Sequence, residues 1–272
     1  MLTITALLEN DTINSTLNTY PGLSLLLEDT ESQTKILFDT GKDKTFIQNA
    51  QKMGIDLTVV ETIIISHGHY DHFGGLTQIP ENYFIHKPQV IAHPHLFSIR
   101  YSALFCGQKN IKFKRLAPIF NKASLEAQFF FKLTDIPYSI DNRFIYSGQV
   151  NERIVNKRYG VIVSDSGEID DYVLDDSFVV WRGKKGLVII TGCSHSGIES
   201  IIQYAKKITG DSHIQAIIGG LHLRCATPSA LQRAKKAIES HVDVYGCHCT
   251  GLLGRKYLNA KTFNTGQSLT FD

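Results

Sequence analysis

Four residues of one short loop are of types that bind metal ions: His67, His69, Asp71 and His72, in the run Ser66-His67-Gly68-His69-Tyr70-Asp71-His72. Imidazole suits zinc and similar divalent ions, and a carboxylate adds a hard oxygen donor. His67 and His69 are two apart, so an extended or turning backbone aims both at one ion. Asp71 and His72 come from the next turn and reach a second ion. Gly68, Gly74 and Gly75 allow the tight backbone path this needs. The bland alternative is a polar surface loop rich in histidine. Three histidines and an aspartate packed behind the apolar run Ile63-Ile64-Ile65 count against it.

The same arrangement recurs along the chain. Val90-Ile91-Ala92 runs into His93-Pro94-His95, and the apolar run ending at Thr191 leads to Gly192-Cys193-Ser194-His195. Ala216-Ile217-Ile218 leads to Gly219-Gly220-Leu221-His222. The run ending at Tyr245 leads to Gly246-Cys247-His248-Cys249. Ligands of α/β folds bind beyond strand ends, where loops converge. Imidazoles collected there point to a metal site. The elements that must position them read as strands over 2–7, 23–27, 34–38, 62–65, 177–181, 187–191, 214–218 and 242–245. Helices are expected over 44–53, 197–208 and 228–240. Early strands without crossovers, then strands alternating with helices, predict an α/β chain of two sheets with helices outside. We expect one domain over 1–272. Its less regular stretch, about 96–172, is expected to be an insertion covering the site.

Composition narrows the function classes. A net charge of +2 and a hydrophobic fraction of 43% leave ample core and demand neither nucleic acid nor a charged membrane as partner. The Lys109–Lys122 stretch is locally basic, either a solvated face or a dock for an anionic substrate. The N-terminal residues read as a first strand rather than a leader. Five cysteines argue against a disulfide framework, so a reduced, cytoplasmic protein is expected. Oligomeric state is not legible.

The loop resembles the HxHxDH motif of the metallo-β-lactamase superfamily, and Leu37-Phe38-Asp39-Thr40-Gly41 resembles that family's strand ending in Asp-Thr-Gly. SHGHYDHFGGL, TGCSHSGI, IGGLHL and HCTG together resemble the branch named for 7,8-dihydropterin-6-methyl-4-(β-D-ribofuranosyl)aminobenzene-5′-phosphate synthase. The resemblance implies a four-layer αβ/βα sandwich with two divalent ions at one edge. Zinc is the first expectation, and manganese or iron suits the same donors. By motif, His67 and His69 bind the first ion, Asp71 and His72 the second. His195 is the candidate for completing the first and His222 the second, with local hydrogen bonding near a helix start as the alternative for each. Asp39 orients a ligand. Many family hydrolases carry a bridging carboxylate in a Gly-Asp pair. Here the strand end reads Gly192-Cys193-Ser194-His195, so Cys193 or His195 substitutes, or the bridge is missing. His93 and His248 are candidate ligands or substrate contacts.

The expected function is a hydrolase acting on a phosphate-containing or ester substrate through metal-activated water. Asp71 would accept a proton, and His222 or His248 would donate one. One alternative is a synthase condensing a dihydropterin diphosphate with an aminobenzene ribotide phosphate. Another is a metal-binding module without catalysis. In each enzymatic case the partner is a small, anionic molecule.

Overall fold

The computed structural model describes residues 1–106, 109–154 and 156–272; the side chain of Lys109, and Gly107, Gln108 and Val155 of the expected insertion, lie outside the described residues. Two large sheets form the frame. The first has seven strands in the order Ser268–Phe271, Leu2–Leu8, Ser24–Asp29, Thr34–Phe38, Thr62–Ile64, Gln89–Ala92 and Phe130–Leu133. The second has six, in the order Asp243–Cys247, Ile214–Gly220, Gly186–Thr191, Phe178–Gly183, Phe144–Tyr146 and Tyr138–Ser139.

Side-chain alternation along the strands explains the layering. Leu25 and Leu27, Ile36 and Phe38, Ile64, Val188 and Ile190 enter one buried cluster between the sheets, where Trp181 and Phe263 also lie. Their neighbours Leu26, Leu37 and Ile63 point the other way, onto the helix Thr45–Lys52. Leu187, Ile189 and Ile217 do the same against the helices Ile198–Thr209 and Pro228–Ala237. A strand exposes alternate residues to opposite faces, so continuous apolar runs bury both. Each large apolar side chain fully buried this way contributes about 1.5–3 kcal/mol. The result is an α/β sandwich with helices outside both sheets.

The stretch 96–172 is shared among three sheets. Phe130–Leu133 joins the first and Phe144–Tyr146 the second. Two hairpins, Ile99–Cys106 with Lys109–Arg115 and Gly160–Ser164 with Gly167–Asp171, pair into a separate four-stranded sheet. No helix among the described residues is long and apolar enough to cross a membrane.

Candidate metal centre

Thr34–Phe38, Thr62–Ile64 and Gln89–Ala92 run parallel in the first sheet, and Gly186–Thr191, Ile214–Gly220 and Asp243–Cys247 run parallel in the second. Their carboxyl ends deliver Asp39, the His67–His72 loop, Cys193, His195, His222 and His248 to one edge. Turning there is abrupt. Asp39, Ser194, His222 and His248 all have positive φ, between 49° and 57°, a conformation uncommon for residues other than glycine.

Hydrogen bonds behind the rings fix which nitrogen faces inward. Asp39 Oδ1 accepts the Ser66 N–H at 2.7 Å, and Oδ2 accepts the Ser66 hydroxyl at 2.8 Å and His72 Nδ1 at 2.6 Å. A carboxylate only accepts, so His72 donates through Nδ1 and keeps Nε2 for the site. Ser66 has spent its proton on Asp39, so His67 Nδ1, at 2.9 Å, donates to Ser66 Oγ. His67 Nε2 is thereby left as an acceptor. His248 Nδ1 lies 3.2 Å from Asn10 Oδ1, again leaving Nε2 free. The Glu9 carboxylate accepts the His248 N–H.

Among the described residues the inward atoms fall into five overlapping groups, two of which contain no cysteine. His67, His69 and His195 form one; Asp71, His72 and His248 form the other. His67 Nε2 is 3.0 Å from His69 Nδ1, and His72 Nε2 is 3.2 Å from His248 Nε2. Two imidazoles on one tetrahedral zinc ion are separated by about 3.3 Å. His69 Nε2, both ring nitrogens of His195 and His222 Nδ1 are buried with no hydrogen-bond partner. Such nitrogens are costly unless something binds them. The donor set therefore fits divalent ions.

Electrostatics favours neutral donors in the first set. Burial, reinforced by neighbouring imidazoles, holds His67 and His195 well below the ordinary histidine range. Burial and the Arg100 charge push His69 down to about 3. His72 differs: burial opposes its charge, but Asp39 outweighs burial and raises it to about 9. An ion binding His72 must displace that proton. Asp71 stays ionised because His72, His248 and His69 overcome its burial.

Sequence reasoning paired His222 with the second ion. The structure instead sets His248 beside Asp71 and His72, and places His222 in a group with Cys193 and His195. The reason is strand order: Asp243–Cys247 is an edge strand whose end turns toward His72. Among the described residues, His93 joins no ligand group. Its Nδ1 accepts the His95 N–H and its Nε2 meets Gln149, so it caps the turn Pro94–Phe97.

Three contributors escaped the sequence. Asp175 Oδ2 accepts the Gly68 N–H at 2.7 Å, in the middle of the metal loop. Fully buried Arg100 grips Asp175 at 2.9 and 3.1 Å. The Tyr159 ring packs edge-on against His195 and His222. The Asp175-Asp176 pair before an apolar strand was a readable signal; Arg100 and Tyr159 carried none.

The centre opens on a cavity of about 800 Å³ lined by His69, Asp71, His195, His222 and His248. Its walls also carry Lys114, Lys157, Arg224 and Arg233. Arg233 is paired with Glu199, whereas Lys114 hydrogen-bonds Tyr70 and Lys157 lies over the Tyr159 ring. From the basic stretch, Lys114 reaches this cavity, while Lys112 pairs with Glu168 and Lys122 with Glu126.

The profile of the metallo-beta-lactamase superfamily matches residues 17–155. The chain belongs to the metallo-β-lactamase superfamily. It is 32% identical to an uncharacterized protein of Methanocaldococcus jannaschii, over 85% of this chain and 84% of that one. It is 29% identical to the same organism's 7,8-dihydropterin-6-methyl-4-(beta-D-ribofuranosyl)-aminobenzene-5'-phosphate synthase, over 85% and 81%. A solved metal-dependent hydrolase of the beta-lactamase superfamily aligns over 100% of both chains, with a TM-score of 0.83 and 25% identity. The short form of human tRNase Z shares the fold at a TM-score of 0.52 and 13% identity, over 99% of each chain.

Proposed function

We propose that this protein is a metal-dependent hydrolase that cleaves an ester or phosphoester bond in a small anionic substrate. The observation carrying the reading is the set of unpartnered buried imidazole nitrogens at the floor of a cavity with cationic walls. His67, His69 and His195 would hold one divalent ion, and Asp71, His72 and His248 a second. Bound there, such ions turn water into a nucleophile at neutral pH and offset charge developing on a substrate oxygen.

The chain's own residues do the rest. Asp71, ionised and facing the cavity, accepts a proton from the attacking water. His222, which lines the cavity, would give one to the leaving group. Lys114, Lys157 and Arg224 draw an anion in and hold it against the floor. The third sheet, which supplies Ser102 and Lys114 to the wall, serves as the cover that excludes water. The test is a hydrolysis screen of phosphoesters, lactones and thioesters with zinc- or manganese-reconstituted protein. Activity lost in His69→Ala supports the reading, and no turnover on any class removes it.

A second reading is condensation of a dihydropterin diphosphate with an aminobenzene ribotide phosphate. The relative at 29% identity and the aromatic rings of Tyr70 and Tyr159 in the cavity wall favour it. Diphosphate release that requires the amine supports it. Release without the amine returns the assignment to hydrolysis.

A further inference from the structure

We propose that Cys193 is itself a metal ligand, a sulfur donor lying between the two candidate ligand sets. The inference rests on the metal reading above and adds a donor of a different chemical kind.

Cys193 follows Gly192 at the end of the strand Gly186–Thr191 and is buried. Its Sγ is 3.4 Å from His72 Nε2, the nitrogen that Asp39 leaves facing inward. It groups with His67 and His72 together, one residue from each ligand set. It groups again with His195 and His222, and again with His248 and Cys249. Among the described residues, no other side chain is common to three such groups. The nearby carboxylates are not free to take this place. Asp39 is committed to Ser66 and His72, and Asp71 groups with His72 and His248 alone.

Cys249 is the rival sulfur. It sits in one group and its Sγ accepts the His222 N–H at 3.2 Å. Gly220 reflects the crowding, since a Cβ there would lie 2.6 Å from that sulfur. With an ion bound, the Cys193 thiol would release its proton to solvent and offer a thiolate donor, which would favour zinc or other thiophilic ions over manganese.

Cobalt(II) reports the ligand directly, through sulfur-to-cobalt charge-transfer absorption in the near ultraviolet. Protein loaded with cobalt is expected to show this band. Cys249→Ser should keep it and Cys193→Ser should lose it while still binding cobalt through its imidazoles. A band retained in Cys193→Ser, or cobalt bound to the parent protein without any band, overturns the assignment while leaving the metal reading intact. A parent protein that takes up no cobalt overturns both. Should Cys193→Ser fail to fold, zinc X-ray absorption of Cys249→Ser decides. A sulfur neighbour at about 2.3 Å supports Cys193, and a shell of nitrogen and oxygen alone sinks it.

Discussion

Arg100 Nη1 lies 2.9 Å from Asp175 Oδ1, and both side chains are shut away from solvent. The other Asp175 oxygen accepts the Gly68 N–H between His67 and His69. The pair thus ties a strand of the third sheet to the loop that carries the ligands. Replacing Asp175 with Asn would leave a buried guanidinium with a weakened partner. We expect a loss of about 3–5 kcal/mol, the usual cost of breaking such a pair. Urea unfolding of metal-free protein measures it, and a change under 1 kcal/mol would refute the tie.

Asp39 acts through His72 rather than on substrate. Asp39→Asn keeps the size but cannot accept from both Ser66 and His72 with the same strength. Metal affinity at the Asp71–His72–His248 position should fall about 10–100-fold, with the His67–His69–His195 position less affected. Chelator competition resolves the two. Equal weakening at both would point to a general loosening instead.

Glu9 gives a pH dependence. Burial raises its carboxyl from 4.5 to about 7, against the hydrogen bonds from His248 and Asp11 that favour ionisation. In the unfolded chain it ionises near its ordinary value. Metal-free protein should therefore lose stability as pH rises from about 4.5 to about 7, by about 3 kcal/mol, and level off above. Glu9→Gln should flatten that limb. A parallel pair of stability curves would rule the assignment out.

Lys157 and Arg224 are expected to bind the substrate's anion without taking part in bond making. Lys157→Ala should raise KM several-fold with little change in kcat, and added salt should blunt the difference. A fall in kcat at constant KM would contradict that division of labour.

Gly75 tests the backbone path of the metal loop. A Cβ there would stand 2.0 Å from the Thr40 carbonyl oxygen and 2.9 Å from that of Asp43. These are rigid backbone atoms that cannot yield. Gly75→Ala should cost more stability than any exposed alanine substitution, read as a lower unfolding midpoint.

The frame was legible because its strands bury both faces. Thr34–Phe38 falls where periodicity put it, and most other predicted elements differ only at their ends. The clustering of His67, His69, Asp71 and His72 was legible because all four fall within one short loop. The choice between His222 and His248 was not, since it depends on which parallel strand ends opposite His72. Arg100 and Asp175 are 75 residues apart, and no local pattern reports a pair that meets only after two sheets and a hairpin assemble. The middle stretch was hardest because its strands serve three different sheets, so no single period or boundary runs through it.

The Arg100 tie also bears on how this scaffold can be re-engineered. The third sheet is a natural module to exchange when a new specificity is wanted, since its hairpin of Ile99–Cys106 and Lys109–Arg115 supplies Ser102 and Lys114 to the cavity wall. A graft cut on either side of Ile99–Cys106 would remove Arg100 and leave Asp175 buried without its cation. A transplant that keeps Arg100, or supplies an arginine at the same depth, keeps the ligand loop braced while the walls change.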